Sequence, residues 1–154
     1  MTQAVVAGAI AVAALNALAG LLGSWLWYDG APSERSASVF WTLLRAAQGA
    51  ALVLALAVGS LAAAGNYSTD HLFYLYALLP LAVGFLAEQL RLLSAQAILD
   101  QRGLADAQAV GALPEQEQRG VVGQIVRREI GVMALSALVV VFLALRAAGT
   151  AHGF

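Results

Sequence analysis

Two charged residues, Arg45 and Glu88, lie well inside long apolar runs of this 154-residue chain. A charge in hydrocarbon is costly, so such a residue usually has either a charged partner or a functional purpose. An acid and a base in these positions could form an ion pair, bind an anionic or zwitterionic ligand, or pass a proton. The chemistry that the sequence offers therefore centres on these two side chains.

Two polar neighbours extend this pair into a candidate binding set. Gln48 follows Arg45 by three residues and Arg91 follows Glu88 by three residues, so each shares a helical face with its neighbour. The rest of the Glu88 stripe is small, consisting of Ala77, Gly84 and Ala95. Small residues are preferred where membrane helices pack closely, so Glu88 is predicted to face another helix and not lipid.

Asn16 is the polar residue nearest mid-membrane in the first apolar run. It belongs to a small-residue stripe formed with Ala9, Ala13, Ala17 and Gly20. The stripe predicts a packing face, with Asn16 as an interhelical hydrogen-bond donor or, as the alternative, a residue that coordinates a ligand or ion. The neighbour on this face belongs either to the same chain or to a second copy.

The composition sets the class of protein. Hydrophobic residues make up 61% of the chain and charged residues 11%, which a soluble domain of this size could not sustain without exposing apolar surface. We therefore expect an integral membrane protein with membrane lipids as its surroundings. The net charge of −1 gives no basic face, so nucleic acid is not an expected partner. The absence of cysteine excludes disulfides and thiolate chemistry.

Four runs are long enough to span a bilayer. They predict one all-α domain over residues 1–154, an antiparallel up-down bundle of four transmembrane helices. The predicted spans are residues 4–28, 39–64, 72–93 and 130–148. Aromatic residues at their edges, such as Trp25 and Trp27, are typical of the membrane–water interface.

The arginines predict the orientation. All eight basic residues are Arg; seven lie in or beside the first and third connections, and only Arg146 lies on the opposite side. The positive-inside rule then places both termini outside a cell membrane and the connection 94–129 in the cytoplasm. Arg45 and Glu88 each lie roughly 7 to 8 Å in from the cytoplasmic edge, at 1.5 Å per residue. Their depths match, so an interhelical ion pair is predicted.

The third connection is predicted to be helical at both ends. Residues 92–102 continue the third helix and Gly103 is a plausible C-terminal cap, while Pro114 marks a new helix start. The apolar face of residues 121–128 predicts an interfacial entry into the fourth span. We interpret the segment as a solvated helical hairpin that closes the bundle, with a dedicated partner-docking element as the alternative.

The sequence offers few residues that could bind a haem or a metal ion. His71 and His152 both lie at span ends on the outer side, away from positions where two histidines could ligate a haem inside the bundle. Two isolated histidines also fall short of a usual metal site. No nucleophile-elbow, phosphate-loop or metal-protease motif is present. We therefore predict no metal, no cofactor and no catalytic residue.

Three functions stay open. The first is a non-catalytic subunit or scaffold in a homo-oligomer or larger membrane complex. The second is a small transporter or channel component with a cytoplasm-facing polar cavity around Arg45 and Glu88, and the third is a membrane enzyme acting on a lipid or quinone with Glu88 as proton donor or acceptor. The first is favoured because small-residue faces are abundant and reactive groups are scarce.

Overall fold

The computed structural model describes residues 2–30 and 32–152, and in these ranges its regular structure is all helical. The helices, in chain order, are α1 (Thr2–Asp29), α2 (Glu34–Ala63), α3 (His71–Gln101), α4 (Ala107–Gly111) and α5 (Glu115–Thr150). All except the short α4 are long and apolar enough to cross a membrane. The predicted all-α fold with four helices of spanning length is therefore confirmed.

The end of α3 shows how local sequence sets a helix boundary. The Leu104 N–H donates to the Leu99 carbonyl, and the Gly103 N–H donates to the Asp100 carbonyl. These two bonds form a Schellman motif, which needs a left-handed residue after the helix. Gly103 supplies it with φ +66°, and α5 then begins directly after Pro114. Gly103 therefore follows the end of α3 and Pro114 precedes the start of α5, as the sequence predicted.

α1 and α5 pack closely because glycines remove side chains at their contacts. A Cβ added to Gly20 would lie 2.7 Å from a Leu138 methyl carbon, and one added to Gly131 would lie 2.7 Å from the Trp27 ring. Later residues of α1 contact earlier residues of α5, so the two helices run in opposite directions. At Gly20, the small-residue stripe of the first span thus packs against α5 of the same chain.

Two buried apolar clusters hold the four long helices together. One surrounds Phe73 and contains many alanines, including Ala9 and Ala144. The other surrounds Phe40 and contains Ile130 and several small residues. Both rings are fully buried. The interior is therefore narrow, with a few large side chains packed among many small ones.

Residues 94–129 form what we call the helical hairpin, made of the end of α3, α4 and the start of α5. It has an apolar cluster of its own, formed by Ile98, Leu99, Val110 and Val121 with Leu104, Leu113 and Ile125 packed against it. Arg102 Nη2 donates a hydrogen bond of 2.9 Å to Gln124 Oε1 across the hairpin. The segment therefore packs upon itself, and its short helix α4 was not foreseen from the sequence.

The structure differs from the prediction at residues 121–128. Val121 is fully buried in the hairpin cluster and Ile125 packs on it, whereas an interfacial helix would turn this face toward the membrane surface. α5 also runs without a break from Glu115 into the apolar run. The physical reason is that the extended end of α3 covers this apolar face, which an amphipathic pattern alone does not reveal.

Gly23 is a position where one added methyl group tests the packing of the bundle. A Cβ there would lie 2.8 Å from the Ala134 Cβ and would also clash with the Phe40 ring, and both neighbours are buried. We expect Gly23→Ala to lower the free energy of unfolding by about 1–3 kcal/mol, the usual range for overpacking. Denaturant titration of the purified protein in mild detergent measures this change.

Gly49→Ala is the matched control, since Gly49 is a helical glycine with nothing within 4 Å of an added Cβ. Alanine is the better helix former, so this variant should be neutral or more stable by up to about 1 kcal/mol. Equal destabilisation by both substitutions would contradict the packing described here.

Candidate functional site: a charged cluster between the helices

Two side chains of α2, Arg45 and Gln48, donate hydrogen bonds to the Glu88 carboxylate. Arg45 Nη1 donates to Glu88 Oε1 at 2.5 Å and to Gln48 Oε1 at 2.7 Å. Gln48 Nε2 also donates to Glu88 Oε1, at 3.5 Å. The interhelical pair between Arg45 and Glu88 is thus formed in the structure, with Gln48 as part of the same network.

Arg91 contacts the second carboxylate oxygen of Glu88 and links it to α5. Its Nε lies 3.0 Å from Glu88 Oε2, in an ion-pair contact without hydrogen-bond geometry. Its Nη1 lies 3.9 Å from Glu129 Oε2. The guanidinium carbons of Arg91 and Arg45 lie 5.2 and 5.9 Å from the centre of the Trp41 ring, within cation–π range. We call Arg45, Gln48, Glu88, Arg91 and Glu129 the charged cluster.

Sequence reasoning missed Glu129 and Trp41 as members of this site. Glu129 directly precedes the fourth apolar run, at the end of the predicted connection 94–129, and Trp41 lies near the start of the second predicted span. A signal for Glu129 did exist, because the third span ends just after Arg91 and the fourth begins just after Glu129. Their membrane depths therefore match, by the same argument that paired Arg45 with Glu88.

The charges of the cluster compensate each other. It contains two arginines and two glutamates, and every one of these four side chains contacts an opposite charge. The Glu88 side chain is 25% exposed and that of Arg91 24%, whereas the Arg45 side chain is 52% exposed. The cluster is therefore a half-buried network whose most accessible member is Arg45.

Among the long helices that pack side by side, the cluster joins the pair with the least contact, α2 and α3. α5 packs extensively against both α1 and α3, whereas α2 and α3 share far fewer contacts. Between membrane helices the hydrophobic effect gives little attraction, so packing and polar contacts decide association. The bonds from Arg45 and Gln48 to Glu88 are consequently a large part of what holds α2 against α3.

Asn16 lies apart from the charged cluster. It is nearly fully buried, and its Nδ2 donates a 2.9 Å hydrogen bond to the Val12 carbonyl of its own helix. Within the described residues it makes no hydrogen bond to another helix, so the predicted interhelical bond is not formed. Asn16 instead lines a small central cavity of about 20 Å³ together with Gln48 and Ser136. That volume suffices for about one water molecule.

The histidines lie apart from this cluster. His71 begins α3 and is exposed, and the His152 backbone carbonyl accepts hydrogen bonds from the Thr69 N–H and the Ser68 hydroxyl. In residues 2–30 and 32–152 no group of three or more potential metal ligands lies together.

The fold and the cluster together define a class, that of small helical proteins suited to a multi-pass position in a membrane. Comparisons with protein-family models, with curated proteins and with solved structures find no match for the chain.

The charged cluster predicts an energetic coupling between Arg45 and Glu88. We expect Glu88→Gln to destabilise by about 2 kcal/mol, because it weakens charged hydrogen bonds, leaves Arg45 without an acidic partner and leaves Arg91 with Glu129 alone. Arg45→Gln should cost under about 1 kcal/mol, since Arg45 is half exposed. A double-mutant cycle on the free energy of unfolding should give a coupling energy of about 0.5–2 kcal/mol.

The control pair is Glu115 and Arg119, which form an ion pair of 2.5 Å on the surface of the hairpin with both side chains 78% exposed. The same cycle at this pair should give a coupling below about 0.5 kcal/mol. A coupling between Arg45 and Glu88 no larger than that of the control would show that the cluster does not clamp the helices.

Proposed function

We propose that this protein is a non-catalytic structural subunit of a membrane assembly, in which the charged cluster is an internal clamp. In this proposal it is an antiparallel four-helix bundle in the cell membrane, with both termini outside and the helical hairpin in the cytoplasm. The orientation rests on the distribution of arginines. The antiparallel arrangement is supported by the bond from Arg127 to the Trp27 carbonyl, which brings the end of α1 beside the hairpin.

The mutual compensation of charge is the observation that carries the proposal. Glu88 already contacts Arg45, Gln48 and Arg91, and Arg91 also contacts Glu129. A ligand would have to displace one of these partners before it could contact the carboxylate or the Arg91 guanidinium. Such a displacement would cost charged contacts of a half-buried network. The arrangement suits a fixed contact between helices better than an exchangeable ligand site.

An apolar groove between α1 and α2 supports association with a neighbouring subunit. Its volume is about 610 Å³, and its lining includes the small residues Ala4, Gly8, Ala11, Ala50, Ala57 and Ser60. Small residues let the backbone of another helix approach closely, and van der Waals packing then drives association. We propose that a transmembrane helix of a second copy of this chain occupies this groove.

Single introduced cysteines test the assembly without background, because the chain contains no cysteine. Ala57 lines the groove and is exposed in the monomer, so Ala57→Cys should give a disulfide-linked dimer when membranes are oxidised. The measurement is the mass of the cross-linked product on a non-reducing gel.

Ala82→Cys is the matched control, since Ala82 is an exposed alanine of α3 away from this groove. It should stay monomeric under the same oxidation. Equal dimer yields at both positions would indicate random collision and contradict the proposed interface, whereas a product of another mass would identify a different subunit as the occupant.

A second candidate function is a proton-conducting component, favoured by the connection between the charged cluster and the central cavity. Gln48 hydrogen-bonds to Glu88 and also lines that cavity beside Asn16 and Ser136. One water bound there would extend a polar path from Glu88 toward the middle of the membrane.

Vesicles that contain the protein and a pH-sensitive dye separate the two candidates. If the protein conducts protons, the proton flux should exceed that of protein-free vesicles. Gln48→Leu should then reduce this flux at least about tenfold, because it removes the polar side chain between Glu88 and the cavity. Ser60→Ala is the control, because the Ser60 hydroxyl bonds only to the Leu56 carbonyl of its own helix. The subunit proposal predicts a flux equal to that of protein-free vesicles.

A further inference from the structure

A second groove lies along α5, between α1 and the extended end of α3. Its volume is about 700 Å³ and most of its lining is apolar. The polar residues at its hairpin end are Gln101, Gln124, Arg127 and Arg128. None of the described residues that line it is Asp or Glu. We call it the basic groove, since one end carries two positive charges and the remainder is suited to hydrocarbon.

Arg127 is held at the mouth of this groove by α1. Its Nε donates a 3.0 Å hydrogen bond to the Trp27 carbonyl, and its guanidinium carbon lies 5.8 Å from the centre of the Trp27 ring. The last carbonyls of a helix lack partners within the helix, and a basic side chain there is favourable. Arg127 therefore caps α1 through Nε, while its two terminal nitrogens make no hydrogen bond within the described residues.

Arg128 lies beside it without a protein partner. The described residues give this exposed side chain no hydrogen bond and no ion pair. Its neighbour Glu129 contacts Arg91 in the charged cluster. Glu129 is not among the residues that line the basic groove.

The length of the basic groove fits one leaflet of a bilayer. From Arg128 to Leu138 the helix rises about 15 Å, at 1.5 Å per residue, which is half of a hydrocarbon core about 30 Å thick. Trp25 and Trp27 are exposed at the same end of α1, as expected for residues at the level of lipid headgroups. The charged end of the groove thus lies at headgroup level, and its apolar part lies at acyl-chain level.

We propose that the basic groove is a binding site for an anionic phospholipid. Arg127 and Arg128 bind the phosphate and the negative headgroup, and one acyl chain lies along Val132, Leu135 and Leu138. A partner helix would have to supply an acid opposite both arginines, whereas an anionic lipid brings charge and hydrocarbon in this order by its own structure. The site is independent of the assembly proposed above and lies on a different face of α1.

Native mass spectrometry of the purified protein tests this site, with phosphatidylglycerol and phosphatidylcholine of equal chain length as probes. The wild type should retain phosphatidylglycerol in preference. Arg128→Gln should weaken its binding about fivefold, the factor for one basic side chain at an anionic surface, and the double variant with Arg127→Gln about 25-fold. Arg128 makes no hydrogen bond or ion pair with the residues that the structure describes, so Arg128→Gln should unfold at the same denaturant concentration as the wild type.

Two further variants test whether the lipid binds in the basic groove. Arg119→Gln removes an arginine of the hairpin outside the groove and should leave lipid retention unchanged. Leu135→Trp places a bulky ring on the exposed apolar lining and should lower the retention of phosphatidylglycerol. Soluble glycerol phosphate at the lipid's concentration should not compete, because it lacks the acyl chain.

Three outcomes would overturn the proposal. Equal retention of the two lipids would exclude recognition of the headgroup charge. Retention of phosphatidylglycerol that neither Arg128→Gln nor Leu135→Trp changes would place the lipid elsewhere on the protein. Competition by glycerol phosphate at equal concentration would show a site for free phosphate and not for a lipid.

Discussion

The shared carboxylate of Glu88 is the contact on which the arrangement of the helices most depends. It joins α2 to α3, which share fewer contacts than the other long helices that pack side by side, and through Arg91 it reaches α5. An isolated carboxylate in an apolar environment would be costly, so the contacts with Arg45 and Arg91 stabilise the charge of Glu88 at this position. Arg45 stays half exposed while its long side chain reaches Glu88.

The remaining contacts of the bundle come from small residues and not from bulky ones. Gly20, Gly23 and Gly131 let α1 and α5 approach until each meets the side chain of its neighbour directly. Where alanines and glycines face inward the helices pack tightly, and where they face outward along α1 and α2 they leave a groove. The same composition therefore explains both the close contacts inside the chain and the surface that a neighbouring helix can fill.

The spans, the hairpin and the pairing of Arg45 with Glu88 could be predicted because they follow from length, apolarity and the cost of a charge in hydrocarbon. The hydrogen bond of Asn16 could not, since a buried amide can bond to its own helix as well as to a neighbour. The burial of Val121 depends on where α3 ends relative to α5, which no local pattern states. Glu129 was missed because it lies at the edge of the fourth apolar run and not inside it, so the cost of a charge in hydrocarbon did not single it out.

One turn of α5 connects these features. Arg127 contacts the end of α1, Glu129 contacts Arg91 of α3, and Arg128 between them contacts neither helix. Successive residues of a helix point about 100° apart, so Arg127 and Glu129 can contact two different neighbouring helices. These two contacts fix the rotation of α5 against both of its neighbours. With that rotation fixed, Arg128 must face outward into the basic groove, and its exposure is a consequence of the contacts made by the other two.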